Sequence, residues 1–187
     1  MSKTPEPTLS LTTGDGNLQV GFQKVQTAEN VVQWQTELHV LNPEKTVVLS
    51  SVLESPAIRC PIQELVAEDH GNGPLLLAVG QANRNHWSAS ITADESVLLL
   101  DFACRINRAP EHPGCCFHLQ KPWKPEVVTD HVVLTHDSIN IVITPNAGSV
   151  INWHPDSRQL SFSVAQQDVI SAVPMTVTWQ IQFELTR

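Results

Sequence analysis

Long apolar runs are missing from this sequence. The longest, Leu75 to Val79, has five residues, against the roughly 20 needed for a helix that crosses a bilayer. A transmembrane helix is therefore excluded, and no membrane partner is expected. Charge is scarce as well. Asp, Glu, Lys and Arg make up 16% of the 187 residues, well under the ~25% of an average soluble domain, which argues against disorder, coiled coil and a halophile surface. Eleven basic residues face nineteen acidic ones, for a net charge of −8. With no basic run, sequence-independent binding to nucleic-acid phosphates is excluded. The opening residues, Met-Ser-Lys-Thr-Pro-Glu-Pro-Thr, lack the apolar stretch of a secretory signal. The expectation is a cytoplasmic, reducing setting in which Cys60, Cys104, Cys115 and Cys116 stay thiols.

Familiar chemical motifs are absent too. There is no CxxC pair, no HExxH and no Gly-x-Ser-x-Gly, so a zinc ribbon, a zincin helix and a nucleophile elbow are all excluded. Gly71-Asn72-Gly73-Pro74 is glycine-rich, but a phosphate cradle wants glycines at a helix N-terminus, usually with a Lys. That segment reads as a turn. No low-complexity tract or linker divides the chain, which predicts one domain over residues 1–187, with 1–8 as a flexible tail.

What the sequence does contain is sheet. Val (21), Thr (14) and Ile (10) together supply about a quarter of the chain, and β-branched side chains favour strands over helices. Period-2 alternation dominates. Val173, Met175, Val177, Trp179, Ile181, Phe183 and Leu185 alternate with polar residues, predicting a strand central to the core. Val32, Trp34, Thr36, Leu38 and Val40 alternate likewise, with Gln33, Gln35, Glu37 and His39 facing out. A third alternating run is Leu98, Leu100, Phe102, Cys104 and Ile106. Shorter ones start at Leu18, Trp87, Ile139 and Leu160. The runs 45–53 and 127–134 are Val-rich without alternation, as for strands covered on both faces. Residues 61–69 begin with Pro and stop before Gly71 and Gly73, predicting up to two helical turns; 166–172 is a second candidate turn. Residues 27–42 and 92–107 share four identities in sixteen positions, no more than two long hairpins need in common.

The fold expected is an antiparallel β-sandwich of roughly ten strands, with at most one or two short helical turns. A closed or partly open barrel is the alternative.

The stretch from Arg108 to Glu126 shows no usable periodicity and reads as a long loop. Loops of this length are usually functional or disordered, and Phe117, Leu119 and Trp123 argue against disorder. Within it, His112, Cys115, Cys116 and His118 are metal-ligand types, which keeps a metal-assisted hydrolase as one alternative. Adjacent cysteines on an extended chain point apart, however, so one ion would rarely take both. No cofactor is expected, and Cys115 and Cys116 are expected to be reactive loop thiols. Cys104, on an apolar face, is expected to be inert. Three carboxylate–imidazole neighbours, Asp69-His70, Asp130-His131 and His136-Asp137, read as solvated loop residues rather than catalytic dyads. Ser88 and Ser90 lie on a polar strand face beside His86. Five tryptophans without a single tyrosine raise a second alternative, a carbohydrate-binding module. Trp34, Trp87 and Trp179 belong to apolar faces, leaving Trp123 and Trp153 for a platform.

The binding reading rests on Lys121-Pro122-Trp123-Lys124-Pro125. The prolines bias the lysines toward extended geometry. Trp123 then stands on a stiff stem as an anchor, with Phe117, Lys121 and Lys124 as further partner-binding residues and the lysines facing an acidic rim on a protein partner or a second subunit. The competing arrangement folds Trp123 back as a lid over an open end of the sandwich.

Overall fold

The computed structural model describes residues 9–26, 32–41, 45–52, 62–69, 73–82, 84–107, 113–146, 148–164 and 174–186. Among them are fifteen strands: β1 (Leu9–Thr12), β2 (Leu18–Gln26), β3 (Val32–Val40), β4 (Thr46–Ser51), β5 (Glu64–Asp69), β6 (Pro74–Ala82), β7 (Asn85–Ala93), β8 (Val97–Ile106), β9 (Gly114–Leu119), β10 (Lys124–Val127), β11 (Val132–His136), β12 (Ile139–Asn146), β13 (Ser149–His154), β14 (Gln159–Val164) and β15 (Met175–Thr186). Described residues include no helix, and so none long and apolar enough to cross a membrane. The strands form two antiparallel sheets, β1-β2-β3-β4-β9-β14-β13 and β10-β11-β12-β15-β8-β7-β6-β5. Neither sheet closes on itself, so the architecture is a β-sandwich and not a barrel.

Alternation dictates the faces. Leu98, Leu100, Phe102, Cys104 and Ile106 of β8 are buried, as are Val177, Trp179, Ile181 and Phe183 of β15. These two strands pair over ten residues, from Met175 opposite Ile106 to Glu184 opposite Val97. With β12 on its other side, β15 is an interior strand, as its pattern predicts. Trp179 stacks on Phe102 with ring centroids 5.1 Å apart and meets the edge of Trp87 at 5.7 Å. Facing it from the other sheet is a layer containing Leu18, Val20, Phe22, Leu38, Leu49, Phe117, Leu160 and Phe162.

The sheets are tied at one end by backbone. Gly14 N–H donates to the Asp94 carbonyl at 2.9 Å, and Asp15 N–H to that of Glu95 at 2.8 Å. A Cβ on Gly14 would lie 3.3 Å from Glu95 Cα and 2.9 Å from its carboxylate, so a side chain here would displace that carboxylate and press on the Glu95 backbone.

Several expectations change. Residues 64–69 of the expected helix are strand β5, paired antiparallel with β6. Leu65 is buried there while Val66 is exposed, a strand alternation that pairing enforced over local helix signals. The Gln63 side chain extends the ladder by clasping the Gln81 backbone amide and carbonyl. The second candidate turn, 166–172, lies outside the described residues, as do the N-terminal tail and the cysteine Cys60. Fifteen strands replace roughly ten because short strands such as β1, β5, β9, β10 and β13 carry weak patterns. The run 127–134 is not one doubly covered strand. It reverses in a hairpin closed by Val128 N–H donating to the His131 carbonyl at 2.9 Å, leaving Val127 and Val128 exposed. Glu37 and His39 do point away from the core, but both are buried, so this part of the outer face is shut off from solvent.

Replacing Trp179 with Ala empties the centre of this aromatic stack. Its expected cost is about 3–5 kcal/mol, the range for large-to-small core changes, read as a lowered urea midpoint. An unchanged midpoint would contradict the packing described.

Candidate functional site

The described part of the 108–126 stretch is ordered by pairing rather than looped. Residues 108–112, including the metal candidate His112, lie outside the described residues. β9 inserts between β4 and β14, with Phe117 opposite Ser51 and Leu160, and Cys116 opposite Ser161. Its alternation turns Cys115, Phe117 and Leu119 toward the core and Cys116 and His118 to the outer face. Phe117 meets Phe162 edge-on at 5.9 Å. It is a core residue and takes no part in an exposed anchor.

After Leu119 the chain crosses from one sheet to the other through Gln120, Lys121, Pro122 and Trp123, with the Lys121–Pro122 peptide in the cis form. Trp123 is 1% exposed, and its ring meets His136 edge-on at 5.4 Å. The exposed-anchor expectation is thus corrected: Trp123 folds inward as the lid. Burying a large aromatic gains more than leaving it in water, and the crossing segment supplies the reach. Arg158, at the β13–β14 turn with a left-handed φ of 51°, fixes that segment from the opposite side. Its guanidinium donates to the carbonyls of Leu119 (3.3 Å), Gln120 (3.5 Å) and Trp123 (2.9 Å), while its own carbonyl accepts from Leu119 N–H at 2.8 Å. No sequence signal marks Arg158, because its partners are carbonyls that converge through tertiary folding alone.

Lys121 and Lys124 remain exposed on this rim. Beyond them runs β10, an edge strand paired with β11. Because Val128 N–H points into the hairpin and amides alternate direction along a strand, Pro125 and Val127 turn theirs to the open edge. Proline is tolerated there because its missing donor faces solvent. The exposed strip thus carries Lys121, Pro122, Lys124, Glu126 and Val127, the last 53% exposed.

The carboxylate–imidazole neighbours occupy hairpin ends. Asp130 accepts from His131 at 2.7 Å, which holds its carboxyl below the usual range, and His136 lies 3.7 Å from Asp137. Contrary to the expectation from strand alternation, these neighbours do meet, because turns bring adjacent side chains together. Both aspartates are solvent-exposed, and His70 lies outside the described residues. Ser88 and His86 stand exposed on the outer face of the eight-stranded sheet.

For the metal alternative, the strand separates Cys115 from Cys116, one facing the core and the other the outer face. Cys116 is not the reactive loop thiol expected. It is a buried free cysteine, hydrogen-bonded to Gln159 Oε1 at 3.6 Å, and burial pushes its thiol up from the ordinary value, with a backbone hydrogen bond at Phe117 opposing. A protonated, buried thiol is a poor nucleophile and a poor ligand. Cys115 packs partly buried against the core. His118 is engaged through Nδ1 with Gln120 Nε2 at 3.3 Å. Among the described residues no three His, Cys, Asp or Glu side chains converge on a metal-sized space. The carbohydrate alternative loses its platform in the same way: Trp34, Trp87, Trp123 and Trp179 are buried, and Trp153 packs against the core.

On the outer face of the seven-stranded sheet, register aligns Glu37, Ser50, His118, Gln159 and His154 in one row across five strands. Gln120 Nε2 donates to Ser50 Oγ at 3.2 Å, and His154 Nε2 lies 2.9 Å from Ser161 Oγ. No family model matches this chain, and no curated protein matches it.

Two predictions follow from this geometry. Trp123→Ala is expected to cost about 3–5 kcal/mol of stability, measured by denaturant unfolding; a loss near zero would mean the ring is not a lid. Cys116 is expected to label slowly with a thiol reagent at neutral pH until the protein unfolds. Because its pKa is higher folded than unfolded, its contribution to stability is full below the thiol's ordinary range and declines as pH rises above it. Rapid labelling of folded protein at pH 7 would contradict its burial.

Proposed function

We propose that the 187 residues form a single non-catalytic binding domain that recognises an acidic protein surface through the rim strip around Lys121 and Lys124. The observation that carries this reading is the contrast between what is buried and what is displayed there. Trp123 holds the backbone from the core side and Arg158 from the other, while Lys121, Lys124 and Val127 are left exposed. A strip held rigid before binding loses little entropy when a partner docks. Its two lysines outnumber its one acidic residue, Glu126, and make the strip locally positive on a chain of net charge −8, suited to steering an acidic partner and fixing its register. Trp123 acts in this reading as a support for the strip and not as a contact.

The test is titration with a fluorescent oligoglutamate peptide, followed by anisotropy at low and physiological salt. Wild-type protein is expected to bind at low salt and to weaken as salt is added. K121E/K124E is expected to melt at the wild-type temperature, both side chains being exposed, and to bind at least tenfold more weakly. Equal binding by the two proteins, or none by either, would overturn the proposal.

A further inference from the structure

β3 sets Glu37 and His39 two residues apart, so both project from the outer face of the seven-stranded sheet. His39 is 2% exposed, and neither of its ring nitrogens has a hydrogen-bond partner. Directly across the β2–β3 ladder from His39 stands Gln19. Its amide nitrogen is engaged with Thr12 Oγ1 at 3.1 Å and Ser10 Oγ at 3.4 Å, yet its Oε1 is buried without a partner. Glu37 offers one oxygen to Gln23 Nε2 at 3.4 Å and brings the other, Oε2, to 3.4 Å from His39 Nε2. Buried donors and acceptors are almost always satisfied, by protein or by something bound. Register thus sets an imidazole nitrogen and two oxygens from adjacent strands on one outer face, where Gln19 Oε1 lacks a partner and His39 Nε2 has no neighbour but Glu37 Oε2.

The spacing is informative. Two donors that each sit about 2.1 Å from a tetrahedral zinc ion are separated by about 3.4 Å, which is the His39 Nε2 to Glu37 Oε2 distance. We propose that Glu37, His39 and Gln19 form a site for a divalent transition metal of the zinc class, with Nε2 and Oε2 as ligands. Gln19 Oε1 supplies the third donor, and water completes the shell. No three His, Cys, Asp or Glu side chains converge among the described residues, and the third donor assigned is the buried Oε1 of Gln19, the residue that register sets opposite His39. One imidazole with oxygen donors suits zinc and its neighbours better than the hard cations, which prefer oxygen alone. Ligation through Nε2 leaves Nδ1 to carry the proton. The site is independent of the rim strip, and neither stands or falls with the other.

The test uses chelator-treated full-length protein and zinc chloride. Zinc is expected to raise the Tm of the wild type by several degrees through binding to the folded state, and to leave H39Q and E37Q unmoved. X-ray absorption of the wild type with equimolar zinc is expected to show one imidazole per metal and oxygen neighbours otherwise. That measurement decides the question even where the variants fail to fold. No rise in Tm, a rise that persists in both variants, or a shell holding two or more imidazoles would overturn the proposal, the first being the result if a buried water fills the space.

Discussion

The ten-residue pairing of β8 with β15 is the constraint on which the rest of the sandwich depends. It joins a strand from the middle of the chain to one near its end, a long-range pairing that must overcome the entropy of closing a large loop. Its product is a continuous apolar strip with Trp179 held between Phe102 and Trp87. The second sheet exists to cover that strip. Strands β1 to β4 do so from the N-terminal side, and β9, β13 and β14 complete the cover from later in the chain.

Interleaving of this kind requires the chain to cross between layers repeatedly, and each crossing exposes backbone groups that no ladder satisfies. The β9–β10 crossing handles this with Arg158. One planar guanidinium gathers three carbonyls of a short irregular segment, a task suited to its fork of fixed donors. Trp123 closes the apolar side of the same segment. Structural anchoring from within and display of Lys121 and Lys124 from without are two consequences of a single crossing.

The outer faces differ in character. That of the eight-stranded sheet is wet over its centre, with Ser88, Thr176 and Thr178 exposed. The seven-stranded sheet buries polar side chains on its outer side: Glu37, His39, Ser50, Cys116 and Ser161. Such groups are stable when paired, as Ser50 is with Gln120 and Ser161 with His154. Groups buried without a hydrogen bond, the His39 ring nitrogens and Gln19 Oε1, carry a desolvation cost that the fold must offset elsewhere.

Strand identity and facing were legible in the sequence wherever alternation ran for five residues or more, because a period of two leaves an apolar face only one side to occupy. The burial of Trp34, Trp87, Cys104 and Trp179 follows from that rule alone. Segments with short or broken patterns were not legible. Glu64 to Asp69 carries helix signals and became a strand because β6 offered it a ladder, and Gly114 to Leu119 hid in an apparent loop because its partners, β4 and β14, lie about seventy residues upstream and about forty-five downstream. The direction taken by Trp123 and the convergence of carbonyls on Arg158 are properties of packing between distant segments. Periodicity assigns a side chain to one side of its strand. Whether that side meets solvent, another sheet or a charged neighbour depends on contacts whose energies exist only once the tertiary fold has formed.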